Sequence, residues 1–123
     1  MELVKNNYLY WEFIRNLRNL GGVREGFIQQ QIIEPLQHEQ YMKQFSNCFY
    51  ICLYNGEPAG YIGIVSDDIR VATHPDFQGK GVGSFMVKEI CKIYPNAVAK
   101  VKLDNKASLA LFKKCGFKVK YYI

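Results

Sequence analysis

The sequence predicts an α/β fold on a mixed sheet: short N-terminal helices, an antiparallel meander, then a helix-strand-helix-strand run. Three patterns predict it. Apolar residues recur at helical spacing early in the chain. Aromatic and β-branched runs follow one another across tight turns in the middle. From Lys80 onward helical and alternating periods take turns.

Tyr10, Phe13, Ile14 and Leu17 lie on one face of a helix over about residues 7–20, which Gly21-Gly22 ends. A second short helix is expected over 23–31. A third starts at Glu34-Pro35, since proline is tolerated in a first turn, with Leu36, Tyr41 and Phe45 as its anchors. Three helices therefore precede the first expected strand, Cys48 to Tyr54. Asn55-Gly56 after it tolerates positive φ at both positions and marks a hairpin. Ala59 to Val65 returns, Ser66-Asp67-Asp68 turns, and Ile69 to Thr73 completes a meander that Pro75 stops. Val82, Phe85, Met86, Ile90 and Ile93 then form one apolar helical stripe, ending before Pro95. Ala97 to Leu103 alternates as a half-buried strand does, with Lys100 and Lys102 on one side. Asp104 or Asn105 caps a helix to about Lys114, Gly116 sits at its C-terminal end, and Phe117 to Ile123 is the last strand.

The chain of 123 residues has room for one domain, expected over residues 1–123, and its 49% hydrophobic and 22% charged content suits a buried core. The apolar run Phe49 to Tyr54 is far short of the roughly 20 residues of a membrane span. No signal peptide is visible, so a cytoplasmic protein without membrane association is expected. Cys48, Cys52, Cys91 and Cys115 lack paired spacing and read as buried thiols, with no metal site expected. The net charge of +5 is unevenly spread. Residues 71–123 carry ten lysines against Asp76, Glu89 and Asp104, whereas residues 1–70 are slightly acidic. That half favours an anionic partner, and without an arginine cluster or nucleic-acid motif a small polyanion suits it better than nucleic acid.

Chemistry concentrates in Ile69-Arg-Val-Ala-Thr-His-Pro-Asp-Phe-Gln-Gly-Lys-Gly-Val-Gly-Ser84, a strand running through Gly79, Gly81 and Gly83 into a helix. Glycines let backbone N–H groups approach a ligand, and a helix N-terminus adds partial positive charge, so the turn suits a diphosphate. It is neither a Walker A loop nor a dinucleotide fingerprint, because Gly81 follows Lys80 where Ser or Thr is required and the glycine spacing is wrong.

Gln78-Gly-Lys-Gly-Val-Gly83 resembles the Q/R-x-x-G-x-G/A signature of the GNAT acetyltransferase superfamily, and Asn105-Lys-Ala-Ser-Leu-Ala-Leu-Phe-Lys-Lys-Cys-Gly-Phe117 resembles its second motif. The likeness covers residues 48–123 well and 8–47 loosely. It implies the acyl-CoA N-acyltransferase fold and transfer of an acetyl group from acetyl-CoA to a primary amine, of a small molecule such as an amino sugar or of a peptide. It implies that main-chain groups of Val71, Ala72 and Thr73 hold the pantetheine arm. Gln78, Gly79, Lys80, Gly81, Val82, Gly83 and Ser84 would hold the diphosphate, Asn105 would meet the pantetheine end and Phe112 would lie near the thioester.

The chain departs from the family where proton carriers usually stand: Phe112 replaces a tyrosine, and Lys100 stands where one branch has a glutamate. The histone-acetylating branch places its base at Asp67, so Asp67 and Asp68 are the candidate bases, against a plain turn role. His74 is a candidate proton shuttle and His38 a candidate on the acceptor side, each against a packing role. Tyr41, Tyr50, Tyr54 and Tyr61 are candidate cleft residues against a core role. Little precedes the first helix to supply the family's first strand, and one strand follows Gly116 where a hairpin is common. A second subunit completing that edge would make a homodimer. Two other readings stand beside an enzyme: a catalytically degenerate CoA-binding sensor or subunit, and a basic nucleic-acid adaptor.

Overall fold

The computed structural model describes residues 1–21, 23, 31–66, 68–96, 98–102 and 105–122. Its strands and helices are β1 (Glu2–Lys5), α1 (Trp11–Asn19), α2 (Pro35–Phe45), β2 (Phe49–Tyr54), β3 (Glu57–Val65), β4 (Asp68–Thr73), α3 (Val82–Ile93), β5 (Val98–Lys102), α4 (Lys106–Lys114) and β6 (Lys118–Tyr122). The six strands lie in sequence order across one sheet. β1 to β4 pair antiparallel, and β5 joins β4, and β6 joins β5, in parallel. The mixed sheet is therefore as expected.

Alternation along the strands sends side chains into two layers. Phe49, Ile51, Tyr61, Val65 and Ala72 meet Ile14 and Leu17 of α1 and Met42 of α2 on one face. Cys52, Ile62, Ile64 and Ile69 meet Val82, Met86, Val87 and Ile90 of α3 on the other, together with Phe112 and Phe117. Asn55 and Gly56 both take positive φ, 52° and 81°, as the hairpin requires. Ala59 is skipped where the register moves from Cys52–Gly60 to Leu53–Pro58, a bulge that returns its side chain to the α3 face.

Three expectations are corrected. A strand, not a helix, comes first: β1 pairs residue for residue with β2 from Glu2–Leu53 to Lys5–Tyr50. Leu36 does not anchor α2; it is 67% exposed, and His38 and Met42 are the buried residues of that helix. α3 starts at Val82 rather than Lys80, because Gly81 takes a left-handed φ of 81° and serves as the N-cap. The helix expected over 23–31 falls mainly on residues outside the described set. Among the described residues no helix is long and apolar enough to cross a membrane.

Candidate active site

β4 ends at Thr73, and a short helical turn over Pro75–Phe77 leads to the glycine-rich segment. His74 caps that turn, its Nδ1 accepting the Asp76 N–H at 3.1 Å. Gly79 and Gly81 then hold φ of +78° and +81°, which L side chains adopt only at a cost. The first four N–H groups of a helix lack intrahelical partners. Here, among the described residues, the N–H groups from Gly79 to Ser84 meet no backbone carbonyl, and pairing resumes with Phe85 N–H on Gly81 C=O at 3.0 Å. The space over Gly79 and Gly81 is open. A Cβ built on Gly79 would meet nothing within 4 Å, and one on Gly81 would meet only the Met1 methyl at 3.9 Å. A row of unpaired amides at the positive end of a helix is an oxyanion cradle.

The second component is an open strand edge. Among the described residues β4 and β5 pair only at Asp68–Val98, and toward Thr73 the strands part. Hydrogen-bonded pairs alternate along an antiparallel ladder. Since His74 N–H reaches Ala59 C=O at 2.8 Å, Ala72 bonds to its partner Tyr61, while Val71 and Thr73 turn their N–H and C=O groups toward the gap. Of the three strand positions, then, Val71 and Thr73 offer main-chain groups, whereas Ala72 spends its own on β3.

Edge and cradle share one cleft of about 480 Å³. Val71, Ala72, Thr73, Gln78, Gly79, Gly81, Val82, Gly83, Ser84 and Asn105 all line it. Asn105 reaches it as the N-cap of α4, its Oδ1 accepting the Ser108 N–H at 3.2 Å. Phe112 is a correction: it is 3% exposed and packs edge-on against Phe117 at 6.0 Å, away from the cleft. Ser108 and Leu111 stand on the cleft side of α4 instead. Helical spacing from Asn105 selects both, and sequence reading missed them by following the aromatic residue one position further. Phe77 and Val23 also line the cleft unanticipated. Lys80 is not in its wall; its Nζ lies 5.7 Å from the centre of the Tyr54 ring, a cation–π distance.

Of the candidate bases, Asp67 lies outside the described residues. Asp68 stands where β4 and β5 meet, and its Oδ2 is 3.9 Å from Arg70 Nε. Arg70 Nη1 in turn donates to the Tyr41 hydroxyl at 2.6 Å. Burial raises the Tyr41 hydroxyl above its usual range, opposed by the charge of Arg70. Burial raises the Tyr61 hydroxyl further, opposed by Arg18 and Arg70. His38 is a packed helix residue, and burial lowers its imidazole below the ordinary value. His74 is held at the entrance to the cradle by its capping bond. A second hollow, of about 430 Å³ between α3 and Cys115, has Lys88 and Lys92 in its wall but no glycine turn and no open strand. No cluster of metal-ligating side chains occurs among the described residues.

The sequence pattern of the acetyltransferase (GNAT) family matches residues 9–117, and the chain belongs to that family. It is 25% identical over 96 residues to an uncharacterised N-acetyltransferase of Methanocaldococcus jannaschii, an alignment covering 64% of this chain. That alignment takes in only 42% of the relative. Among solved structures, the spermidine N-acetyltransferase of Vibrio cholerae, in complex with CoA and spermine, superposes with a TM-score of 0.78 at 16% identity, over 94% of this chain and 79% of that one. The protein yncA of Salmonella typhimurium, solved with its cofactor acetyl-CoA, superposes with a TM-score of 0.79 at 16% identity, over 97% and 80% of the two chains. At these identities the likeness is one of fold.

Proposed function

We propose that this chain is an N-acetyltransferase that moves an acetyl group from acetyl-CoA to a primary amine of a small molecule, an amino sugar among the candidates, or of a peptide. The observation that carries the reading is two sets of unpaired amides on one cleft, those of Val71 and Thr73 on the open edge of β4 and those from Gly79 to Ser84 at the N-terminus of α3. Those groups match a ligand with an amide-bearing arm ending in a diphosphate. Val71 and Thr73 would pair with the arm as a neighbouring strand does, the N–H groups of Gly79 to Ser84 would take the diphosphate, and Asn105 would flank the arm.

Acetyl-CoA supplies a thioester that a neutral amine attacks directly, without an acyl-enzyme. What the chain contributes is placement and polarisation. Val71 N–H, on the open side of β4, would point at the carbonyl oxygen as negative charge develops there. Phe112 cannot protonate a leaving thiolate from the core, and thiolate departs without that help. Asp68, bound to Arg70, is the described carboxylate at the closed end of the gap.

A thiol-release assay over a panel of amines, run beside thermal unfolding, tests the reading. Acetyl-CoA at a hundredfold excess over its Kd contributes about 2.7 kcal/mol, or roughly 10 °C in Tm for a chain of this size. Turnover with at least one amine is expected. A thermal shift with silence across the panel would favour the CoA-binding sensor instead. No shift, with salt-sensitive binding of DNA or RNA, would favour the nucleic-acid adaptor.

A further inference from the structure

The face of β4 that α1 and α2 cover carries Asp68, Arg70 and Ala72. Arg70 shares that face with Ala72, which lines the cleft, and lies one residue from Val71, whose amide turns into the gap. Its side chain is 41% exposed. The guanidinium is oriented: Nη1 donates to the Tyr41 hydroxyl at 2.6 Å, and Nε faces Asp68 Oδ2 at 3.9 Å. Neither contact is a bidentate carboxylate pair, so the charge is held in direction without being fully answered, and Nη2 meets no protein acceptor among the described residues. Arg18 of α1 brings a second positive charge to the same neighbourhood, since both arginines act on the buried Tyr61 hydroxyl beside Ala72.

A structural arginine on a half-covered face would be expected to close on a carboxylate of its own chain. This one is held by a neutral phenol at 2.6 Å and a carboxylate at 3.9 Å, on the strand whose Val71, Ala72 and Thr73 line the cleft. Planar forks match carboxylates in two parallel hydrogen bonds, a geometry a lysine does not supply. The geometry points to Arg70 as the specificity residue of the acceptor site, reading a carboxylate on the amine that is acetylated. The acceptor is then an amino acid or a similar short amine-carboxylate, and Tyr41 and Asp68 are positioning residues for the guanidinium. A polyamine, positive throughout, would be repelled from Arg70. This inference rests on the acetyl-transfer reading and names its acceptor class.

The test compares kcat/KM in the thiol-release assay for matched pairs of amines, each amino acid against its own carboxamide, with aminophosphonates and spermidine alongside. For the wild-type chain the acid-to-amide ratio is expected to be about 10–100, the range of a hydrogen bond to a charged partner. It should collapse toward unity in Arg70→Gln through a rise in KM. Arg70→Lys keeps the charge without the fork and should fall between the two, which separates recognition from folding. Tyr41→Phe should raise KM for the acid in the wild-type background and add nothing in Arg70→Gln. A wild-type ratio near one, a ratio that survives Arg70→Gln, a preference for spermidine or for aminophosphonates, or acetyl-CoA binding with no amino acid acetylated would each overturn the inference. Absence of acetyl-CoA binding would instead remove the reading beneath it.

Discussion

Gly63 shows how far one atom is constrained here. A Cβ added to it would stand 2.5 Å from the Phe49 ring, which faces it across the β2–β3 pair. Gly63→Ala should therefore cost about 1–3 kcal/mol, read as a lower urea midpoint with unchanged slope. His38 gives a pH signature. Its folded-state value is lowered from 6.5, chiefly by burial, with Glu12 opposing and Arg15 adding to the shift. The unfolded chain takes up the proton first, so stability contributed by neutral His38 is present above pH 6.5 and lost as pH falls below it. His38→Gln should flatten that part of the stability profile. Asp68→Asn separates two roles: loss of a general base would lower kcat by about 10²–10⁴-fold, whereas loss of an orienting partner for Arg70 should appear in KM for carboxylate-bearing amines. The Gly79 to Ser84 turn was legible because its chemistry is local, set by φ and by the end of one helix. The Tyr41, Arg70 and Asp68 arrangement was not. It joins α2 to β4 across a sequence separation of 29, and no spacing rule reports that contact.

At the level of elements, the meander and α3 could be read because each carries its own period. β1 could not, since Glu-Leu-Val-Lys is four residues long and becomes a strand only by pairing with the already half-buried β2. Leu3 and Val4 lie on opposite core layers, one against each apolar cluster. Removing residues 1–5 should therefore lower stability by about 2–3 kcal/mol and bare the β2 edge, which Tm and concentration-dependent light scattering would report. That β4 offers main-chain groups to a ligand was expected from the family likeness. Which β4 residues face it was not, because alternation needs a register, and His74 on Ala59 supplies it. α4 illustrates the opposite failure. Leu111 and Phe112 are neighbours on adjacent sides of one helix, and burial sends the aromatic residue to the core and its neighbour to the cleft.

For the whole molecule, the uneven charge and the cleft belong together. Residues 71–123 contain every glycine of the cradle and ten lysines. A multiply charged anion should bind there with an affinity that falls severalfold as salt rises, since exposed charges are screened over about 10 Å at 0.1 M. Gly81→Trp should abolish binding by filling the cradle and straining its left-handed backbone, while leaving the two core layers intact. The central claim concerns particular amides, so backbone amide chemical-shift mapping during titration with acetyl-CoA tests it most directly. Saturating shifts are predicted for Val71, Thr73 and the residues from Gly79 to Ser84. Shifts confined to the hollow around Lys88, Lys92 and Cys115, with that turn unperturbed, would contradict the account.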